Sequence, residues 1–152
     1  SKALPRLNKL FKDKEAKKIY WAVVKNPPPK KLDTLVHFLK RNPKQNKSYA
    51  HLKEVPESKQ DVLVYQLLKK VNSLYLLEVN LHSGRHHQIR AQLTAIGSPI
   101  KGDLKYGFDR SNKDGSIHLH SRELSLMHPV KKEMIHIIAP PPSDPVWDAC
   151  LK

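Results

Sequence analysis

The chain has 152 residues, with 28 Lys and Arg against 14 Asp and Glu, so its formal net charge is +14. This length fits one folded domain, residues 1–152, and the 39% hydrophobic content excludes the disordered class. A basic excess of this size favours an acidic partner, and we rank nucleic acid above the alternative of a merely soluble basic protein.

Cysteine content and apolar runs limit the cellular location. The single cysteine, Cys150, excludes an internal disulfide and a cysteine-based zinc site, and it indicates a reducing compartment. Apolar runs stay well short of the roughly 18 residues that a membrane span needs, and residues 1–11 lack the apolar core of a signal peptide. We therefore predict a cytoplasmic protein without a membrane partner.

The first predicted element is a basic amphipathic helix over residues 4–17, in which Leu4, Leu7 and Phe11 share one face. A strand is predicted next, over residues 19–24. Both of its faces are apolar, which is typical of a central strand that is covered on both sides. A proline run then ends it.

Residues 30–60 permit two interpretations. A short helix behind Asp33 and a pair of strands both fit the apolar spacing, and we favour strands and loops. Within this region, residues 41–47 are polar and basic and include a proline, which predicts an exposed loop.

A hairpin and a helix are predicted in the middle of the chain. Residues 62–68 and 74–81 are apolar runs on either side of a short polar stretch, which indicates two antiparallel strands. Over residues 86–96 the apolar positions recur at helical spacing. Gly97 and Pro99 then supply the usual signals for the end of a helix.

Two more strands, residues 118–127 and 133–139, flank a predicted turn near the C-terminus, and prolines 140–142 end the sheet. Most of the predicted elements are therefore strands. The predicted fold class is α+β, a mainly antiparallel mixed sheet with a few flanking helices in one domain.

The densest polar segment is SGRHHQIR, residues 83–90, where a strand ends and a helix begins. A helix N-terminus favours an anion, and Arg85, His86 and His87 would add to this preference. Arg90 follows His86 by four residues, so these side chains can share one side of the helix, where a guanidinium can fork onto a carboxylate or phosphate. A solvated basic face on an ordinary helix fits the same spacing at least as well.

Other catalytic patterns are absent from the sequence. Nine histidines raise the question of a metal, but an H-E-x-x-H motif, a cysteine pair and a carboxylate at ligand spacing are all missing. A G-x-S-x-G elbow and a phosphate-binding loop are missing too. The eight aspartates lie in polar or turn-like sequence, and none has the apolar, arginine-flanked setting that would mark a nucleophile. We predict no metal site.

Three segments carry a resemblance to a known family. LHSGRHHQIRAQLTAIGSPIKGDLKYG, residues 81–107, closely resembles the signature of the RluA-like pseudouridine synthases, approximately TGRTHQIRVHLAxxGHPIxGDxxYG. FKDKEAKKIYWAVV, residues 11–24, resembles the segment around the family's active-site tyrosine, and IHLHSRELSLMHP, residues 117–129, resembles its LLHAxxLxFxHP. The resemblance covers nearly the whole chain. It departs at His86, where the family has Thr or Ser, and at Ser98, where it has His.

The resemblance implies the fold of a pseudouridine synthase catalytic domain and the isomerisation of uridine in RNA, without a cofactor. The glycosidic bond breaks, the uracil turns, and C5 is rejoined to the ribose. Tyr20 would be the active-site tyrosine that stacks near the uracil and is a candidate for taking the C5 proton, although a core strand aromatic fits the residue pattern alone better. Arg90 would pair with the catalytic aspartate, since a guanidinium holds a carboxylate ionised. The residues expected to contact ribosomal or transfer RNA are Arg85, His86, His87, Gln88, Lys17 and Lys18.

The family's catalytic aspartate lies in an HRLDRxTSG motif upstream of the tyrosine segment, and the 152 residues contain no HRLD-like sequence. We expect an N-terminally truncated, C-terminal part of a synthase domain that is inactive alone. The alternatives are a non-catalytic RNA-binding module and a nonspecific polyanion-binding protein. Asp103, in the GD pair after the helix, is expected to be a turn or capping residue rather than a replacement nucleophile. Truncation would expose a sheet edge, so self-association is also expected.

Overall fold

A computed structural model describes residues 17–81, 84–128 and 130–152. The strands are β1 (Lys17–Val24), β2 (Leu32–Asn42), β3 (Lys47–His51), β4 (Lys59–Val71), β5 (Leu74–Leu81), β6 (Leu119–Met127) and β7 (Met134–Ile138). The helices are α1 (Gln88–Ala95), the single-turn 3₁₀ helix η1 (Leu104–Tyr106) and α2 (Pro145–Cys150). The helix predicted over residues 4–17 lies outside the described residues, except that Lys17 begins β1.

The strands form one 7-stranded sheet in the order β3-β2-β4-β5-β1-β6-β7. Each of these pairings is antiparallel. The α+β class with a mainly antiparallel sheet is confirmed, and so is the central position of β1, which lies between β5 and β6. The strand interpretation of residues 30–60 is also confirmed, because β2 pairs with both β3 and β4.

The two faces of β1 are covered by different helices, as expected for a strand with apolar side chains on both sides. Ala22 and Val24 belong to the larger core cluster, to which α1 contributes Ile89 and Leu93. The opposite face buries Val23 in a second cluster, which includes Trp147 and Cys150 of α2. Burial of each large aliphatic side chain contributes about 2 kcal/mol to folding.

Local capping signals explain where the helices begin and end. The start of α1 is Gln88, two residues later than predicted, because His87 has a left-handed backbone with φ 53°. The helix α2 was not predicted, although Asp144 caps it by accepting a hydrogen bond from the Trp147 backbone N–H at 2.6 Å, and proline occupies its first turn. None of the helices in the described part of the chain has the length and apolar character that a membrane crossing requires.

Candidate active site

A cavity of about 230 Å³ lies at the N-terminus of α1. It is lined by Tyr20, Leu81, Gly84, Arg85, His87, Gln88, Ile89, Arg90 and Leu119. The structure therefore brings together five of the predicted site residues, which come from β1 and from the segment that enters α1. These five are Tyr20, Arg85, His87, Gln88 and Arg90.

Tyr20 is positioned by the middle of the sheet. Its partners across the strands are Val79 in β5 and Ser121 in β6. The β1–β6 register shifts between Ile19 and Tyr20, so a β-bulge lies beside the cavity, where such an irregularity commonly redirects a side chain. The half-buried Tyr20 packs against the main core cluster, and its hydroxyl has no hydrogen-bond partner within the described residues.

Arg85 lines the cavity and is bound to the protein through only one of its guanidinium nitrogens within the described residues. Its Nε–H donates to both carboxylate oxygens of Asp61, at 3.1 and 3.0 Å. The Asp61 side chain is only 2% exposed, whereas that of Arg85 is 46% exposed. The two Nη groups of Arg85 form no hydrogen bond in the part of the chain that the structure describes. This fork can bind a carboxylate or a phosphate.

All three nitrogen atoms of the Arg90 guanidinium form hydrogen bonds with protein groups. Its Nε and Nη2 donate to the two oxygens of Asp103, each at 2.8 Å, and its Nη1 lies 3.1 Å from Nε2 of His87. The guanidinium also lies 4.8 Å from the centroid of the Tyr106 ring. Arg90 therefore links α1 to η1 and forms one wall of the cavity.

Two of the eight aspartates contradict the expectation that all of them lie in polar or turn-like surroundings. Asp61 and Asp103 are buried, and each binds an arginine of the motif. Asp103 precedes η1 but makes no capping hydrogen bond, because its carboxylate binds Arg90 instead. The GD pair of the signature could have pointed to Asp103, whereas no local signal points to Asp61, whose partner is 24 positions away.

His86 and His87 form a stacked pair with ring centroids 3.7 Å apart. The Arg90 guanidinium only donates, so Nε2 of His87 accepts and Nδ1 carries the proton, 2.8 Å from the Tyr106 hydroxyl. Burial, followed by the charge of Arg90, lowers the pKa of His87 to about 4. Burial and nearby cations also lower the pKa of His86. At neutral pH, positive charge at this point of the cavity comes from the arginines rather than from the histidines.

Gln88 is turned into the protein interior. Its amide donates to the Val62 carbonyl at 3.2 Å and to Oε1 of Gln92 at 3.0 Å. Gln92 continues the chain of hydrogen bonds to Nδ1 of buried His37 at 2.9 Å. This buried polar chain fixes α1 against β2 and β4, which holds the cavity wall in place.

The two lysines predicted to contact RNA lie on opposite faces of β1, because side chains alternate along a strand. Lys18 shares the face of Tyr20, and its Nζ lies 3.1 Å from the point that a Cβ on Gly84 would occupy. Lys18 therefore lies next to Gly84 of the cavity lining, although neither lysine lines the cavity itself. Within the described residues, no group of three or more His, Cys, Asp or Glu is placed to hold a metal ion.

Comparison with known proteins identifies the relatives of this chain. The family described as RNA pseudouridylate synthase matches residues 1–95. An uncharacterized RNA pseudouridine synthase of Synechocystis is 33% identical over 144 residues, covering 93% of this chain and 44% of the relative. Ribosomal large subunit pseudouridine synthase C of Buchnera aphidicola is 30% identical over 145 residues, covering 90% of this chain and 45% of the relative. The chain thus spans less than half the length of either relative.

A solved structure shows the same fold. Human RNA Pseudouridylate Synthase Domain Containing 1 superposes with a TM-score of 0.73 at 23% identity, covering 94% of this chain and 62% of that one. The extent of the sequence match confirms the resemblance carried by residues 81–107. The chain therefore belongs to the RNA pseudouridylate synthase family.

Proposed function

We propose that this chain forms the uridine-binding part of an active site that converts uridine to pseudouridine in ribosomal or transfer RNA. One observation carries the proposal: Tyr20 and Arg85 line the same cavity, and neither the Tyr20 hydroxyl nor the Nη groups of Arg85 have a hydrogen-bond partner within the described residues. The cavity of about 230 Å³ is smaller than the roughly 300–1,000 Å³ of a drug-sized pocket, which suits a single base flipped out of its stack.

In this proposal the uracil stacks on Tyr20. The bond between N1 and C1′ of the ribose breaks, the base turns, and C5 bonds to C1′ while N1 gains a proton. The Tyr20 oxygen then takes the C5 proton as its hydroxyl proton is released to solvent, so the proton lost from C5 balances the proton gained by N1. The reaction is an isomerisation, so no redox partner or cofactor is required.

Arg85 and Arg90 have different roles in this proposal. The family resemblance gives Arg90 the task of pairing with the nucleophilic aspartate. The contacts of Arg90 with Asp103 and His87 favour a different assignment, in which the open fork of Arg85 holds that carboxylate and Arg90 secures the cavity wall. Arg90 stays within reach of the site because it lines the same cavity.

We further propose that the 152 residues do not turn over uridine by themselves. The sequence contains no HRLD motif. The buried carboxylates of Asp61 and Asp103 each bind an arginine, and neither residue lines the cavity in the described part of the chain. The nucleophile would then come from a segment outside the 152 residues.

The experiment compares the 152-residue chain with the longest gene product that is in frame with it. Both are incubated with ribosomal and transfer RNA labelled with tritium at C5 of uridine, and released tritium is counted. We expect release by the longer product alone. RNA binding without release by either protein would favour the non-catalytic RNA-binding module, and release by the 152-residue chain would overturn the proposed need for an outside nucleophile.

Two further expectations belong to the same proposal. The buried, unpaired Cys150 supports a reducing, cytoplasmic location. The strand β7 ends the described sheet and exposes Met134, Ile137 and Ile138, and its free backbone edge could pair with the same edge of a second copy. We therefore propose that two copies of the chain associate through β7.

A further inference from the structure

The turn between β2 and β3 collects positive charge from three different elements. Arg41 lies near the end of β2, Lys47 begins β3, and Lys105 belongs to η1. Arg41 and Lys105 are exposed, and Lys47 is half-buried. These groups surround Asn46, the last residue of the turn, which has a left-handed backbone with φ 49°.

Asn46 holds the surrounding side chains through uncharged atoms. Nη2 of Arg41 donates to its side-chain oxygen at 3.3 Å, and Nζ of Lys105 donates to its backbone carbonyl at 2.8 Å. Neither cation forms an ion pair within the described residues. Their positions are therefore fixed while their charges remain available to an anion from outside.

His86 joins this turn to the motif that enters α1. Its Nε2–H donates to the side-chain oxygen of Asn46 at 3.1 Å, and its Nδ1 accepts from the Ser48 hydroxyl at 2.9 Å. After burial, the charges that lower the pKa of His86 are those of Arg41, Arg90 and Lys105, so the local potential is positive. His86 also stacks on His87, which lines the cavity.

An exposed aromatic ring lies beside these cations. The Lys47 ammonium is 5.2 Å from the ring centroids of both Tyr49 and Tyr106. Tyr49 is 38% exposed, so one ring face can receive a base. RNA offers both phosphates for the cations and bases for the aromatic ring. It therefore fits this arrangement better than a ligand that carries negative charge alone.

We propose that Arg41, Lys47, Lys105 and Tyr49, here called the turn patch, bind the phosphate backbone and one base of the RNA beside the flipped uridine, while His86 holds the turn against the motif. This inference rests on the proposed function, because it takes the Tyr20 cavity as the uridine site. The ligand is taken to be RNA rather than a free phosphate, since the exposed Tyr49 ring beside Lys47 offers a face to a base. The turn patch would set the register of the RNA, while the cavity receives the base.

The test measures how RNA binding depends on salt. The 152-residue chain is titrated with a fluorescent RNA stem-loop carrying an unpaired uridine, at KCl concentrations from about 50 to 250 mM. We expect the double variant Arg41→Ala with Lys105→Ala to lower the slope of log K against log salt by about 2, one unit for each lost phosphate contact. The matched control is Lys113→Ala with Lys131→Ala, which removes two exposed lysines elsewhere and should leave the slope nearly unchanged.

An unchanged slope in the turn-patch variant, or an equal fall in the control, would overturn the turn patch as a site. A Tyr49→Leu variant tests the aromatic part: weaker binding to single-stranded RNA with an unchanged slope is expected, and unaltered binding would remove Tyr49 from the patch. Equal affinity for heparin and for the stem-loop would point to general polyanion binding instead. The longer product could release no tritium while the turn-patch variant still lowers the salt slope. That combination would overturn the proposed function but would support the turn patch as an RNA-binding site.

Discussion

The Nε group of Arg85 binds both carboxylate oxygens of Asp61, while the two Nη groups of Arg85 stay unbonded within the described residues. The buried carboxylate thus fixes the guanidinium at one end, and the residue also lines the cavity. An arginine held in this way is ready to receive an anion without first being ordered, which reduces the entropic cost of binding.

Loss of the Asp61 charge should destabilise the fold. We expect Asp61→Asn to lower the free energy of unfolding by about 1.5–3 kcal/mol, because a buried charge-assisted hydrogen bond is lost. The control is Asp109→Asn, since Asp109 pairs with Lys25 at an exposed position and should contribute at most about 1 kcal/mol. Urea unfolding compares the two variants, and an equal effect would contradict the structural role of Asp61.

The two arginines of the cavity should respond differently to lysine. Arg90→Lys cannot reproduce the bidentate contact with Asp103, so we expect a loss of about 1.5–3 kcal/mol in the free energy of unfolding. Arg85→Lys can keep a single contact with Asp61, so we expect the free energy of unfolding to fall by less than about 1 kcal/mol. The same substitution removes the open guanidinium fork, and it should therefore abolish tritium release by the longer product. Full turnover in Arg85→Lys would return the aspartate-pairing role to Arg90.

His87 should make stability depend on pH. In the unfolded chain His87 has its ordinary pKa of 6.5, whereas in the folded chain its pKa is about 4. Between these values the unfolded state holds the extra proton, so the free energy of unfolding falls as the pH drops through this window. We expect His87→Asn, which tolerates the left-handed backbone, to shrink the fall in melting temperature between pH 7 and pH 5.

The matched control for this measurement is His51→Asn, since His51 ends β3 and makes no side-chain hydrogen bond or ion pair within the described residues. Some pH dependence should remain in His87→Asn, because burial also lowers the pKa of His37 and of His118. An unaltered pH dependence in His87→Asn would show that the folded protein protonates His87 as readily as the unfolded chain does.

Self-association through β7 should be sensitive to a single charge. We expect the mass from light scattering to rise with concentration for the unaltered chain and to remain that of one chain for Ile137→Lys, because a charge opposes edge pairing. Leu52→Lys is the control, since Leu52 is exposed but follows β3 at the other edge of the sheet. A single-chain mass for the unaltered chain at every concentration would refute the association.

The sequence predicted the sheet better than it predicted the contacts of the site. Strand β1 was recognisable because both of its faces are apolar, and α1 because Gly97 follows it. The helix α2 was missed, although the Asp144 cap and the proline after it are local signals for a helix start. The Arg85–Asp61 pair could not be predicted, because β4 brings Asp61 to the motif only once the strands have paired.

The most direct measurement is tritium release from C5-labelled uridine RNA by the longest in-frame gene product, with Tyr20 and with Tyr20→Phe. The substitution keeps the aromatic ring for stacking and removes the hydroxyl that is proposed to take the C5 proton. We predict release by the unaltered protein and a loss of about 100-fold or more in Tyr20→Phe, with RNA affinity unchanged. Release at the same rate by both proteins would contradict the proposal that the Tyr20 hydroxyl takes part in uridine isomerisation.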